Sequence, residues 1–181
     1  MDISTDRIIA AVRSDRDFEI AINSEVSTVF LLSADIMSIK EKAEKAREKS
    51  ILLYVHIDLA DGIGKDKSGI QYLANVGVDG IISTRSGLIK TARELGMYTV
   101  QRFFIVDSQS INTVIETVKT SKADMIEVMP GIVSKEISKL KEYIKIPVIA
   151  GGLLESKHEI KEALEHGAMA VSVGKPEFWV G

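Results

Sequence analysis

The 181-residue chain contains no cysteine. That excludes disulfide staples, thiolate metal sites and a cysteine nucleophile, and it is compatible with a reducing compartment. Proline is scarce, with three residues, so little interrupts regular elements. No apolar run approaches the roughly 18–20 residues needed to cross a bilayer. Residues 1–7 include two acids and lack the apolar stretch of a signal peptide. The expectation is a cytoplasmic protein with no membrane partner. Positive charge is not in excess either. Lys+Arg number 23 against 26 Asp+Glu, for a net charge of −3. A non-specific nucleic-acid binder is disfavoured, although a local basic patch stays open. No G-x-G-x-x-G follows the first strand-like run, and H-E-x-x-H, G-x-S-x-G and Walker patterns are missing.

What is present reads as a folded domain: 45% hydrophobic residues, 27% charged residues and a mean hydropathy of +0.11. The length suits a single domain over residues 1–181. Short runs rich in Val, Ile, Leu and Phe recur at 28–32, 51–58, 80–84, 98–106, 123–129, 147–150 and 169–173. Near-continuous apolar runs are what strands covered on both faces require, which means a parallel sheet under helices. Amphipathic segments alternate with them at 36–49, 67–76, 86–95, 108–122, 134–144 and 156–165, and a further helix is expected at 7–23, before the first strand. Ser156 with Glu159 has capping-box spacing, and Gly96 suits a helix end. The Lys- and Glu-rich stretch 40–49 reads as a solvated helix face. Phe178 and Trp179 are expected to cap one end of the fold.

Repeated strand–helix units of similar size predict an α/β, TIM-barrel-like (β/α) barrel. A full eightfold barrel usually needs 200 residues or more, so about seven parallel strands are expected, one unit short or incomplete. In such barrels the site lies at the C-terminal ends of the strands. There, Gly151, Gly152 and Gly174 with Lys175 are candidates for a phosphate cradle, because glycine turns let backbone N–H groups approach an anion. The plainer reading is that these glycines only make tight turns. His56, Asp58, Arg85, Arg102 and Glu127 form a second group. Charges inside apolar strands need partners, so Arg102, taken as facing inward, and Glu127 are read as an ion pair, a ligand rim, or both. His56 and Asp58, two apart, are expected on one strand face. A His56–Asp58–Glu127 metal site is the weaker option, and no metal, cofactor or catalytic residue is assigned. No strand-like run holds a lysine of the kind a Schiff-base aldolase requires.

Several segments together resemble the glycerol uptake operon antiterminator family of bacteria. They are His56-Ile57-Asp58-Leu59, Asp61-Gly62-Ile63, Asp79-Gly80-Ile81-Ile82-Ser83-Thr84, Gln101-Arg102-Phe103-Phe104, Asp107-Ser108, Ile126-Glu127-Val128-Met129-Pro130-Gly131, Ile149-Ala150-Gly151-Gly152-Leu153 and Ala170-Val171-Ser172. The resemblance implies a barrel-like fold, glycerol-3-phosphate as ligand and leader mRNA as partner, in a regulator that prevents premature termination of glycerol-operon transcription. It implies that Gly151, Gly152, Ser172 and Gly174 cradle the phosphate, with His56, Asp58, Arg102 and Glu127 toward the glycerol end.

The alternative is an enzyme acting on a small phosphorylated substrate, of isomerase, aldolase or lyase type. Geometry discriminates the two. Imidazole and carboxylate groups converging on a pocket beside the glycines favour catalysis; the same groups locked to Arg85 and Arg102 disfavour it. The loop 60–68, rich in Gly and Asp, is read as a segment that orders over ligand. A homo-oligomer is left open by the sequence.

Overall fold

The structure, a computed structural model, describes residues 5–180. Strands and helices alternate: Ile8–Val12 (β1), Asp15–Ile22 (α1), Thr28–Leu31 (β2), Ile39–Glu48 (α2), Leu52–His56 (β3), Lys67–Asn75 (α3), Gly80–Ser83 (β4), Ser86–Glu94 (α4), Tyr98–Phe104 (β5), Ser108–Ser121 (α5), Met125–Met129 (β6), Ser134–Tyr143 (α6), Val148–Gly151 (β7), Lys157–Glu165 (α7) and Ala170–Val173 (β8). Each strand pairs in parallel with the next, and β8 pairs with β1, so eight strands close into a barrel. Side chains alternate across each strand. One set, including Ile9, Phe30, Tyr54, Ile82, Val100, Ile149 and Ala170, fills the interior. The other packs beneath the helices in a larger outer core.

The expectation of seven strands fails at the start of the chain. No helix spans 7–23; those residues form β1 and the short α1. Ile8–Val12 is apolar on both faces, but its Ala10-Ala11 pair suits a helix as well as a strand, and the run flows into the amphipathic pattern of α1. Ser14 marks the true boundary: its side chain accepts from Asp17 N at 3.1 Å, capping α1. Arg7 then ties the seam, donating from Nε to Met169 O at 3.0 Å and from Nη2 to Ala168 O at 2.7 Å.

The economy in length lies elsewhere. After β8 a single 3-10 turn, Pro176–Phe178, stands where an eighth helix would be. Trp179 completes the layer. It is fully buried, donates from Nε1 to Val173 O at 2.9 Å and accepts on its carbonyl from Glu25 N at 3.3 Å. Phe178 and Trp179 therefore belong to the outer core and cap neither end. Local signals fix other helix starts. Ser156 with Glu159 and Asp107 with Ser110 each form reciprocal capping boxes.

Candidate functional site

The alternation that builds the interior also sets what faces the barrel mouth. One step above the interior core stand Ala11 on β1, Leu32 after β2, His56 on β3, Arg102 on β5, Glu127 on β6, Gly151 on β7 and Ser172 on β8. The small members Ala11, Gly151 and Ser172 lie together around β7, β8 and β1, and a cavity of about 260 Å³ opens on that side. This is below the range of about 300–1,000 Å³ typical of pockets for drug-sized ligands, so it suits a small metabolite. Its apolar wall includes Ala11, Leu32, Met129, Leu153, Leu154 and Val173; its charged wall holds Arg13, Asp17, Arg102, Glu127, Glu155 and Lys175.

At the base of the cavity three polar side chains lock together. Arg102 Nε donates to Glu127 Oε2 at 2.6 Å, and Ser172 Oγ donates to Glu127 Oε1 at 2.6 Å. Arg102 is 7% exposed and Glu127 1%. Burying such a pair costs several kcal/mol of desolvation per ion, which the mutual attraction roughly offsets, so the pair contributes orientation more than stability. Only Nε of Arg102 is committed. Its terminal nitrogens have no protein partner among the described residues, and Arg102 lines the cavity. A methyl group on Gly151 would overlap both Glu127 Oε1 and Ser172 Oγ, so the glycine is required by the triad that crosses over it.

The lip is made by the turn after β7. Gly152 (φ 75°) and Leu153 (φ 57°) are successive left-handed residues, and Gly152 O accepts from Gly131 N at 2.8 Å. Gly152, Ser172, Gly174 and Lys175 line the cavity, while Gly151 underlies Glu127 and Ser172. Lys175 Nζ donates to Glu155 O at 3.3 Å and lies 4.0 Å from Glu155 Oε2.

The second group of sequence candidates is split. Arg102 and Glu127 line the cavity; His56, Asp58 and Arg85 do not. β3 ends at His56, and Asp58 sits in the following 3-10 turn, Ile57–Leu59, so the two do not share a strand face. The Asp58 carboxylate accepts from Thr84 N at 2.8 Å and Ser83 Oγ at 3.0 Å, and pairs with Arg85 Nε at 3.4 Å. His56 is 4% exposed with Nδ1 unpartnered. Burial, and then the nearby Arg102 charge, push its pKa down to about 4, against an opposing pull from Asp58. Its imidazole is neutral at pH 7. Among the described residues no three His, Asp or Glu side chains gather as a metal site. The loop 60–68 is fastened in place: Lys65 Nζ donates to Ala60 O and Ile63 O, and Asp61 N donates to Ala34 O at 2.8 Å. None of its residues lines the cavity.

Residues 8–179 match the family described as glycerol-3-phosphate responsive antiterminator. The chain belongs to this family. It is 34% identical over 173 residues to YgcP, an uncharacterized protein of Escherichia coli (strain K12), covering 95% of this chain and 91% of that one. The crystal structure of the glycerol uptake operon antiterminator regulatory protein of Listeria monocytogenes str. 4b F2365 superposes with a TM-score of 0.91 at 29% identity, covering 99% and 97% of the two chains. A glycerol uptake operon antiterminator-related protein of Thermotoga maritima MSB8 superposes with a TM-score of 0.85 at 30% identity, over 95% and 96%. Solved aldolases at 12–15% identity share the fold alone.

In this antiterminator-family chain, sequence reasoning missed one side of the cavity. Arg13 and Asp17 are hidden because the sequence predicts one helix over 7–23, where the structure has β1 and α1. Met129, Leu153, Leu154 and Glu155 carry no chemical signature. The signal for Arg13 is period two: it lies two places beyond the inward-facing Ala11, just past the end of β1.

Proposed function

We propose that this chain is a glycerol-3-phosphate-responsive regulator, binding a small phosphorylated polyol in the mouth cavity and acting on leader mRNA to regulate a glycerol operon. The observation that carries the ligand reading is the cavity wall, where three cations (Arg13, Arg102, Lys175) face three carboxylates (Asp17, Glu127, Glu155) across about 260 Å³. Cations and the backbone of the glycine turns suit a phosphate. Carboxylates accept hydroxyl hydrogens. A ligand bearing one phosphate and adjacent hydroxyls satisfies both sets, and the small volume fits three carbons better than six.

The arrangement weighs against the enzyme alternative. Among the described residues no strand carries a lysine. Glu127 is held by Arg102 and Ser172, and Asp58 is held by Ser83, Thr84 and Arg85. The RNA step rests on family membership; with a net charge of −3, binding would require a concentrated basic patch, because phosphate contacts dominate RNA affinity.

Thermal unfolding with glycerol-3-phosphate, with inorganic phosphate and glycerol as controls, tests the reading. Ligand at 100 times its Kd stabilises by about 2.7 kcal/mol. The expected result is a clear shift with glycerol-3-phosphate, a smaller one with phosphate, none with glycerol, and loss of the shift in Lys175→Glu. No shift at millimolar glycerol-3-phosphate overturns the ligand reading. For the RNA step, glycerol-3-phosphate must change leader-RNA affinity by the factor by which RNA changes glycerol-3-phosphate affinity.

A further inference from the structure

We propose that Arg13, of the three cations on the wall of the mouth cavity, is the one that selects a doubly charged phosphomonoester over a singly charged anion. The inference rests on the ligand reading above and deepens it.

The other two cations on the wall already have partners. Arg102 is paired with Glu127 at 2.6 Å, and Lys175 is tethered to Glu155 through its carbonyl at 3.3 Å and its carboxylate at 4.0 Å. Arg13 lines the same cavity and makes no ion pair among the described residues. Its main chain, in contrast, is pinned. Ser33 Oγ donates to Arg13 O at 2.5 Å, and the next residue, Ser14, caps α1. A fixed Cα carrying an uncommitted guanidinium is poised to engage a ligand with little loss of backbone entropy.

The seam places it well. Ala10 pairs with Val173 in register, so the chain beyond β1 runs beside Gly174 and Lys175 beyond β8. Ala11 below it is small, and Gly174 faces Ala11 O across a gap in which a methyl group would sit 3.6 Å away. Space is therefore kept open between the two strand ends. An anion seated on the glycine turns meets Arg102 from below and Arg13 from the side.

Charge decides what Arg13 adds. Glu127 balances Arg102 and Glu155 lies against Lys175, so those pairs leave little net positive field. The remaining carboxylate, Asp17, accepts Ser14 Oγ at 2.7 Å and sits in the first turn of α1, where free backbone N–H groups offset its charge. The Arg13 guanidinium supplies the unbalanced positive charge, in a fork that matches two phosphate oxygens. The groups facing it are Asp17 from α1, Glu155 and Lys175 from the lips, and Arg102 with Glu127 from below.

The test is isothermal calorimetry with glycerol-3-phosphate on the full chain, as wild type, Arg13→Gln and Arg13→Lys, at pH 5 and pH 7.5. The second ionisation of a phosphomonoester lies near pH 6, so the two conditions present mostly monoanion and mostly dianion. Arg13→Gln is expected to weaken binding at least tenfold at pH 7.5 and much less at pH 5. Arg13→Lys should fall between, keeping the charge and losing the fork. Unliganded unfolding midpoints should agree among all three proteins. Unchanged affinity in Arg13→Gln at pH 7.5, or an equal loss at both pH values, overturns the role of Arg13 and leaves the ligand reading standing. A wild type that binds no glycerol-3-phosphate at either pH overturns both.

Discussion

Glu127 is the residue on which the mouth depends, because it holds Arg102 on one oxygen and Ser172 on the other. Glu127→Ala strands a buried guanidinium and is expected to destabilise by about 3–5 kcal/mol in urea unfolding. The double variant Arg102→Met/Glu127→Leu removes both charges. It should recover to within about 1–2 kcal/mol of wild type, the residue being mainly the lost Ser172 hydrogen bond, while ligand binding stays abolished. If the single and double variants are equally unstable, the pair is a net stabiliser and the orientation argument fails. This pairing is legible in the sequence: Arg102 and Glu127 are charges inside apolar runs, and burial forces such charges to find each other. The separation of Asp58 from His56 is not legible, because the strand ends two residues before the apolar run does, and a 3-10 turn redirects the carboxylate to Ser83, Thr84 and Arg85. His56 offers a pH test. Its native pKa is depressed to about 4 from 6.5, so between those values the unfolded chain binds a proton that the native chain refuses. Stability is full above about pH 6.5 and declines as pH falls toward 4, by roughly 2–3 kcal/mol in all. In His56→Gln, urea unfolding across pH 7 to 4.5 should show a distinctly shallower decline.

Among the elements, those with strong local signals are the ones the sequence announces. The capping boxes at Asp107 and Ser156 set the starts of α5 and α7, and each box ties two otherwise orphaned N–H groups. β1 is the counterexample. Nothing within Ile8–Val12 separates strand from helix; pairing with β2 on one side and β8 on the other decides it, and such long-range partners leave no local trace. The ends of helices carry a different lesson. α5 terminates at Lys122, in the left-handed region at φ 56°, where a Cβ costs roughly 1 kcal/mol and glycine costs little. Lys122→Gly keeps the carbonyl that Arg93 Nη1 engages. It is expected to raise stability by about 0.5–1 kcal/mol, read as a rise of a few degrees in Tm, with ligand affinity unchanged.

For the molecule as a whole, the barrel closes with eight strands in fewer residues than the fold usually takes, because one tryptophan and a 3-10 turn stand in for a helix. Trp179→Ala removes the largest side chain of that layer and should cost about 3–5 kcal/mol; a cost below 1 kcal/mol would mean that the layer does not depend on it. The length of the chain predicts a missing strand, whereas the economy lies in the outer layer, which composition does not reveal. Closure also orders events in time. The pairing of Ile8 with Val171 joins residues from opposite ends of the chain, the kind of contact whose loop-closure entropy must be met before any reward. The cavity draws its walls from β1, β5, β6, the turn after β7, and β8, so on the ribosome the nascent chain has no such cavity until its last strand has emerged. A chain halted before residue 170 has no mouth to fill and gains no protection from ligand, however much is present.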